Sequence, residues 1–277
     1  MTEGREILHL SPPFSALWTG QDAFAAVDAL QGEVFRERDG RRTFRCEIEG
    51  RGFFVKIHHG IGWGEIVKNL LVGRAPIVGA ANEWRAIARL TEIGVDTMRA
   101  VGFGQRGLNP ARQHSFLITE ELAPTVSLED FCRDWREQPP APALKYALIR
   151  RVAEMAGRMH RAGVNHRDFY LCHFLLHLEP PPTPEKLKLS LIDLHRAQSH
   201  KAVPRRWRDK DLAGLYFSAL DIGLTRRDFL RFLRIYFARP VREILRAEAP
   251  LLRHLENESR RLLAKYTRKN AAFGDDW

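Results

Sequence analysis

The sequence predicts an α+β fold of two lobes, a small β-rich lobe with one main helix followed by a larger, mostly helical lobe. Three observations support this prediction. Short segments rich in β-branched and aromatic residues, separated by glycines, occupy residues 33–57. Residues 80–93 place their apolar side chains on one helical face. After the proline-rich linker "REQPPAPA", helical spacing of apolar residues prevails.

We divide the chain accordingly into an N-terminal extension at residues 1–31, an N-lobe at 32–123 and a helical C-lobe at 124–277. The N-lobe begins with "EVFRERDGRRTFRCEIEGRGFFVKI". This segment predicts a three-stranded meander, because Asp39-Gly40 is a strong hairpin signal and Gly50 and Gly52 mark a second turn.

The rest of the N-lobe is one short amphipathic segment at 66–71, the main helix "AANEWRAIARLTEI" and two strands. In the helix, Trp84, Ile87 and Leu90 recur at intervals of three, and Gly94 follows where a helix would end. The strand candidates are "RAVGFGQR" and "HSFLITEEL", with the turn-rich "GLNPARQ" between them.

The C-lobe opens with a long predicted helix, "LKYALIRRVAEMAGRMHRAG", that ends at Gly163. "EPPPTPEK" is a surface loop, and "LKLSLIDLHRA" predicts a strand in which Leu187, Leu189 and Leu191 alternate. The remainder is helical. Its aromatic stripe is expected to pack into the core and comprises Phe229, Phe232, Leu233, Tyr236 and Phe237.

Composition restricts the compartment and the partners. The 44 Lys and Arg residues against 34 Asp and Glu give a formal charge of +10, which favours an anionic partner. The three cysteines, Cys46, Cys132 and Cys172, form no CxxC pair and suit reduced core thiols in a cytoplasmic protein. The N-terminus lacks a signal-peptide pattern, and no run of about 18 residues is free of charge, so we expect no membrane span.

Four ionisable residues stand at structurally informative places. Lys56 ends the strand "FFVKI", Glu83 lies on the main N-lobe helix, Asp168 follows the long C-lobe helix, and Asp193 follows the strand "LSLI". In this order they resemble the signature of protein-kinase-like phosphotransferases, whose catalytic loop here would be His166-Arg167-Asp168. The resemblance implies a bilobal protein-kinase-like fold.

The resemblance also implies a role for each residue. Lys56, held by Glu83, would bind the nucleotide phosphates, Asp193 would bind Mg²⁺, and Asp168 would accept the proton of the acceptor hydroxyl. Arg167 is expected to tie the loop down and His166 completes it. The remaining predicted nucleotide-binding residues are Gly40, Glu120 and Leu122.

The sequence departs from protein kinases in three ways. His173 stands where those kinases have a metal-binding asparagine, so His173 or a neighbour completes the metal site. The metal loop reads Asp193-Leu194-His195, and no Ala-Pro-Glu motif follows. Gly40 is alone in the hairpin expected to cover the phosphates, in place of a full glycine-rich motif.

Longer motifs are similar to those of the bacterial lipopolysaccharide core heptose(I) kinases. These motifs are "NHRDFYLCHFLL", "LIDLHRAQ" and "EIVKNLLVGRAPIVGAANEWRAIARLTEIGVDT", and the similarity extends over residues 32–237. It implies ATP- and Mg²⁺-dependent phosphorylation of a heptose hydroxyl in lipopolysaccharide, by an enzyme at the cytoplasmic face of the inner membrane. It further implies acyl carrier protein as a partner, which a basic surface would suit.

Several assignments keep an alternative. Glu65 competes with Glu83, whose helix has the better apolar face. Asp211 either braces the catalytic loop or caps a helix. A zinc site at His166, Cys172, His173 and His177 is disfavoured, because the set lacks a second cysteine and falls across an apolar strand.

The basic run of the C-lobe is either a solvated helix face or a surface for an anionic glycolipid and anionic lipid. It comprises Arg205, Arg206, Arg208, Lys210, Arg226, Arg227, Arg231 and Arg234. Nucleic acid is not expected, because aromatic residues that could stack on bases are absent outside the core stripe. The alternatives to a heptose kinase are a small-molecule phosphotransferase of the aminoglycoside or choline kinase type and a non-catalytic nucleotide-binding scaffold.

Overall fold

The computed structural model describes residues 6–38, 40–71 and 78–273, with the side chains of all of them except Arg38, Glu65, Asn69 and 265–273. The chain forms two compact units. The first comprises Met1–Glu92, Thr97–Leu122 and Leu194–Arg196. The second comprises Ile93–Asp96, Ala123–Asp193 and Ala197–Trp277. The mixed α+β class is the one predicted.

The first unit is built on a six-stranded antiparallel sheet with the strand order β1-β5-β6-β4-β3-β2. The predicted meander and the two later strands are confirmed. The strands are β1 Glu6–Leu10, β2 Glu33–Arg38, β3 Arg41–Ile48, β4 Arg51–His58, β5 Ala100–Arg106 and β6 His114–Glu120. Strand β4 lies between β3 and β6, so its alternate residues Phe53, Val55 and Ile57 are buried.

The segment treated above as an N-terminal extension is part of this unit. Strand β1 pairs with β5 at the edge of the sheet, with Glu6 opposite Arg106. Two helices follow, α1 Phe14–Leu17 and α2 Ala23–Ala29. Phe14 and Phe24 are buried in the aromatic core of the sheet, which ties the segment to it.

Two further helices complete the first unit, α3 Gly62–Leu71 and α4 Ala81–Glu92. Helix α4 is the predicted main helix and buries Ile87 and Leu90. Helix α3 extends the predicted amphipathic segment and exposes most of its apolar side chains.

The second unit contains six helices within the described residues: α5 Leu128–Phe131, α6 Pro142–Arg161, α7 Arg205–Ser218, α8 Arg226–Phe237, α9 Val241–Ala247 and α10 Ala249–Phe273. Short strands join them: β7 Thr125–Ser127, β8 Val164–Asn165, β9 Phe174–His177, β10 Leu189–Leu191 and β11 Gln198–Ser199. Helix α6 is the predicted long helix. In the stripe of α8, Leu233 and Tyr236 are buried as expected, whereas Phe229, Phe232 and Phe237 are half-buried.

The predicted strand around Leu187 is shorter than expected. Strand β10 spans Leu189–Leu191, and Ser190 is buried as well as the two leucines. Alternation is lost because both faces of this strand are covered. No helix in the described part of the chain has both the length and the apolar character needed to cross a membrane.

The three cysteines are free thiols. Burial raises the pKa of Cys132 to about 12 and that of Cys172 to about 11, and it also raises the pKa of Cys46. A raised thiol pKa leaves little thiolate, the reactive form, below pH 10.

Cysteine alkylation in the folded protein is therefore expected to be slow. At pH 8 we expect iodoacetamide to modify Cys132 and Cys172 at least about 100-fold more slowly than a free cysteine of ordinary pKa. The rate should rise about tenfold per pH unit, because the thiolate fraction does. Peptide mass spectrometry measures both rates, and the unfolded protein, in which all three thiols should react fast, is the control. Modification of Cys172 at the free-thiol rate would contradict its protection.

Candidate active site

The first cluster of predicted site residues lies within the sheet unit and joins Lys56 to Glu83. Lys56 lies on β4 between the buried Val55 and Ile57, so its side chain leaves the opposite face of the strand. Its Nζ lies 2.7 Å from Oε1 and 2.9 Å from Oε2 of Glu83. Glu83 is in the first turn of α4, where the helix dipole stabilises a carboxylate, and is only 3% exposed. The pair fixes an ammonium group beside the sheet.

This ion pair bears on the choice between Glu83 and Glu65. The structure brings Glu83 to Lys56, whereas the side chain of Glu65 lies outside the described residues. A buried carboxylate with both oxygens on one ammonium needs that partner, because an unpaired buried charge is costly. Glu83 is therefore the glutamate that positions Lys56 in this structure.

The other predicted nucleotide-binding residues lie at or beyond the ends of strands in the same unit. Glu120 ends β6, and its Oε1 is engaged by the guanidinium groups of Arg51 and Arg99. Leu122 follows two residues later. Gly40 lies in the turn before β3 with φ of +73°, and its carbonyl oxygen accepts a hydrogen bond of 2.8 Å from the backbone N–H of His59.

No pattern in the sequence points to a role for Asn82. Its Nδ2 donates a hydrogen bond of 2.9 Å to the backbone oxygen of His195, which links α4 to the segment directly after Asp193. A single asparagine beside a glutamate carries no motif, so only the fold reveals this contact.

The second cluster is the catalytic loop of the helical unit, and Asp211 holds it. Asp211 is 1% exposed and lies inside α7. Its Oδ2 accepts a hydrogen bond of 2.6 Å from the backbone N–H of His166, and its Oδ1 accepts one of 2.7 Å from that of Arg167. Of the two roles left open above, bracing is confirmed and helix capping is wrong, because the helix begins six residues earlier.

The side chains of His166 and Arg167 both contact residues that surround the catalytic loop. His166 is fully buried, and its Nε2–H donates to the backbone oxygen of Ile192 at 2.9 Å. Burial lowers the pKa of His166, so the ring is neutral at pH 7. The guanidinium of Arg167 lies 4.6 Å from the centre of the Trp207 ring. These contacts tie the loop to its surroundings.

Arg167 and Asp193 adopt a strained backbone conformation. Their φ angles are +75° and +61°, a left-handed region that is unfavourable for residues with a Cβ. Such strain persists only where surrounding contacts hold the backbone in the unfavourable conformation, and it is concentrated at functional sites. For Arg167, the bond to Asp211 is one of those contacts.

His173 connects Asp168 to Asp193. Its Nδ1–H donates a hydrogen bond of 2.6 Å to the backbone oxygen of Asp168. Its Nε2 lies 3.5 Å from Oδ2 of Asp193, so an imidazole nitrogen and a carboxylate oxygen, both possible metal ligands, face each other. The Asp168 side chain itself is half-buried, so solvent and ligands can reach it.

Comparisons with known proteins identify the family of the chain. Residues 25–236 match the lipopolysaccharide kinase (Kdo/WaaP) family. The chain belongs to this family. A curated relative from Pseudomonas aeruginosa, named lipopolysaccharide core heptose(I) kinase WaaP, is 63% identical over 97% of this chain and 98% of its own length.

Two further Kdo/WaaP comparisons extend the similarity. A relative of the same name from Escherichia coli is 53% identical over 95% of this chain and 100% of its own length. The solved structure described as WaaP in complex with acyl carrier protein superposes with a TM-score of 0.83 at 60% identity. It covers 92% of this chain and 99% of its own. The resemblance to heptose(I) kinases and the kinase-like fold predicted above are therefore confirmed.

Proposed function

We propose that this protein is an ATP-dependent lipopolysaccharide core heptose(I) kinase. The observation that carries the proposal is the 63% identity, over nearly the full length of both chains, to a relative of that name. In this proposal, residues 32–123 bind the nucleotide and residues 124–277 carry out the acceptor chemistry. The described residues of the preceding segment support the sheet of the first part.

Lys56 would bind the phosphates of ATP. The Glu83 carboxylate orients its ammonium, so that Nζ can donate to a phosphate oxygen. Gly40, Glu120 and Leu122 would contribute further contacts to the nucleotide, Gly40 from its turn and the other two from the end of β6.

Asp168 would act as the general base. A half-buried carboxylate can accept the proton of the heptose hydroxyl and orient its oxygen toward the γ-phosphate. His166, Arg167 and Asp211 would act as positioning residues, because their contacts hold the backbone of the loop.

Asp193 and His173 fit a divalent metal. Asp193 offers the carboxylate oxygen that Mg²⁺ prefers, and Nε2 of His173 faces it at 3.5 Å. When bound, Mg²⁺ would neutralise charge on the phosphates. The bond from His173 to the Asp168 carbonyl couples the metal loop to the loop of the base.

The substrate is a membrane glycolipid, and we propose that the protein is cytoplasmic and contacts the inner membrane peripherally. Helix α3 supports this, because it exposes Trp63, Val67, Leu70 and Leu71 along one amphipathic helix. An aromatic ring and aliphatic side chains on such a helix suit the bilayer interface. Exposed basic residues of α7 and α8, including Arg206, Arg227 and Arg234, would attract anionic headgroups and core phosphates.

Acyl carrier protein is a proposed partner. The support is the solved relative described as WaaP in complex with acyl carrier protein. The formal charge of +10 suits an acidic partner.

The test of the proposed function is a transfer assay with two classes of acceptor. Purified protein is incubated with labelled ATP, Mg²⁺ and either core lipopolysaccharide lacking the heptose phosphate or a panel of soluble aminoglycosides and choline. We expect label on the glycolipid alone. Label on the soluble acceptors but not on the glycolipid would favour a small-molecule phosphotransferase, and no transfer to either would favour a scaffold.

Lys56→Met and Glu83→Gln should both weaken ATP use. Loss of a charge-assisted hydrogen bond costs roughly 1.5–3 kcal/mol, so we expect Lys56→Met to lower kcat/KM for ATP by about 10- to 100-fold or more. Glu83→Gln should have a smaller effect in the same direction, because Lys56 remains but loses its charged partner. Initial rates at varied ATP measure this. Lys186→Met, in an exposed loop, is the matched control, and equal kinetics of Lys56→Met and the control would exclude Lys56 from the nucleotide site.

A further inference from the structure

Three potential metal ligands converge on the sheet unit, at residues outside the proposed catalytic groups. Asp28 is on α2, His59 directly follows β4, and His114 begins β6. One ligand atom from each lies within 4.8 Å of the other two. Because β4 and β6 are antiparallel neighbours with His58 opposite Ser115, the register places His59 opposite His114. The pairing of β4 with β6 therefore brings the two imidazoles together.

Two of the three separations between the ligand atoms have the values of a tetrahedral metal site. Oδ1 of Asp28 lies 3.3 Å from Nε2 of His59 and 3.4 Å from Nε2 of His114. In a tetrahedral site with metal–ligand bonds of about 2.0–2.1 Å, neighbouring ligand atoms are about 3.3–3.4 Å apart. An octahedral site with the same bonds would need about 2.9 Å. The two observed separations fit four-coordinate geometry.

The hydrogen bonds of the described residues leave one buried atom of this cluster unpaired. Nε2 of His114 is buried, and within the described part of the chain it has no hydrogen-bond partner, although the Asp28 carboxylate is near. Buried polar atoms are almost always paired, so a buried ring nitrogen of this kind needs an explanation such as an ion.

The surroundings hold the ligands in place. The Phe24 ring packs edge-on against His114 at 5.1 Å, and the backbone N–H of His59 donates to the Gly40 carbonyl. Of the nearby cations, Arg106 is paired with Asp22 and Glu6, and Arg41 and Arg42 line the same cavity as Asp28 and His59. Asp28 and His59 also line an open cavity of about 550 Å³, which gives an ion access and leaves room for a water as fourth ligand.

We propose that Asp28, His59 and His114 form a Zn²⁺ site that joins helix α2 to the ends of strands β4 and β6. Two imidazoles and one carboxylate favour Zn²⁺ over Mg²⁺ or Ca²⁺, which take oxygen ligands. Because His59 also bonds to Gly40, a metal here fixes the turn before β3. Zn²⁺ binding can be measured without the proposed phosphotransferase activity, although the turn that the metal would fix carries Gly40, a proposed nucleotide contact.

The test uses the full chain without a histidine tag, stripped of metal with a chelator. Isothermal titration with ZnCl₂ in excess Mg²⁺ should give one site per chain. Replacement with Co²⁺ should give the intense visible absorption of a tetrahedral ion. We expect His114→Ala and His59→Ala each to raise the Zn²⁺ Kd by about 100-fold or more. The matched control, His254→Ala on α10, should bind like the wild type.

Asp28→Asn tests the carboxylate with little change of shape and should also weaken binding while circular dichroism stays unchanged. Absence of Zn²⁺ binding by the wild type would leave the cluster as a pH-dependent His–Asp contact and overturn the proposal. Binding that persists unchanged in the Asp28, His59 and His114 variants would overturn it as well.

Discussion

Asp168→Asn is expected to lower kcat for glycolipid phosphorylation by about 10²- to 10⁴-fold, the usual contribution of a general base. The substitution keeps the shape of the side chain, and the hydrogen bond from His173 goes to the backbone oxygen of residue 168, so the loop should be preserved. The KM for ATP should therefore change little. The effect should appear in kcat because the carboxylate acts on the reacting hydroxyl.

Steady-state rates at saturating ATP measure this prediction, and the exposed Asp134→Asn is the matched control. Circular dichroism and thermal melting should not distinguish the two variants. If Asp168→Asn retained kcat within about twofold of the control, the base would have to be another group.

Asp211→Ala is expected to cause the largest combined loss of stability and activity. The substitution removes the acceptor of the backbone N–H groups of His166 and Arg167, and each buried donor left unpaired costs about 1–3 kcal/mol. The carboxylate also lies 3.2 Å from Nε2 of His160, whose Nδ1 is 2.7 Å from the Tyr236 hydroxyl. That network would lose its acceptor, so we expect the free energy of unfolding to fall by about 2–6 kcal/mol.

The activity should fall by more than the fraction of unfolded protein explains. Arg167 has φ of +75°, and the substitution removes one of the contacts that hold its backbone in this conformation. Denaturant unfolding and initial rates, measured well below the melting temperature, separate the two effects. Asp221→Ala, on an exposed side chain, is the control. A folded Asp211→Ala variant with wild-type kcat would show that the brace is not needed for catalysis.

Local patterns in the sequence sufficed for much of the fold. Lys56 was found because an apolar strand precedes it, and Glu83 because its helix has a clear apolar face. Both signals depend on near neighbours in the chain. The assigned roles of the site residues remain proposals, but the partnership of Lys56 and Glu83 is visible in the structure.

Other features could not be predicted, because they depend on contacts between distant residues. Asp211 lies 45 positions from His166, so the spacing in the sequence could not show whether Asp211 braces the catalytic loop or caps a helix. The pairing of His59 with His114 depends on the register of β4 and β6. Strand β1 was missed because "EILHL" is short, and its conformation is specified by β5 rather than by its own pattern.

The position of β1 has a practical consequence for the boundaries of the folding unit. The family match begins at residue 25, which omits β1 together with Phe14, Trp18 and Phe24. A chain trimmed to the match would leave the backbone donors and acceptors of β5 on an open sheet edge, and it would remove aromatic side chains from the core. Open edges recruit strands from other molecules, so such a fragment is expected to self-associate. Strand β1 and the aromatic side chains that follow it therefore belong to the folding unit, although the family match begins after most of them.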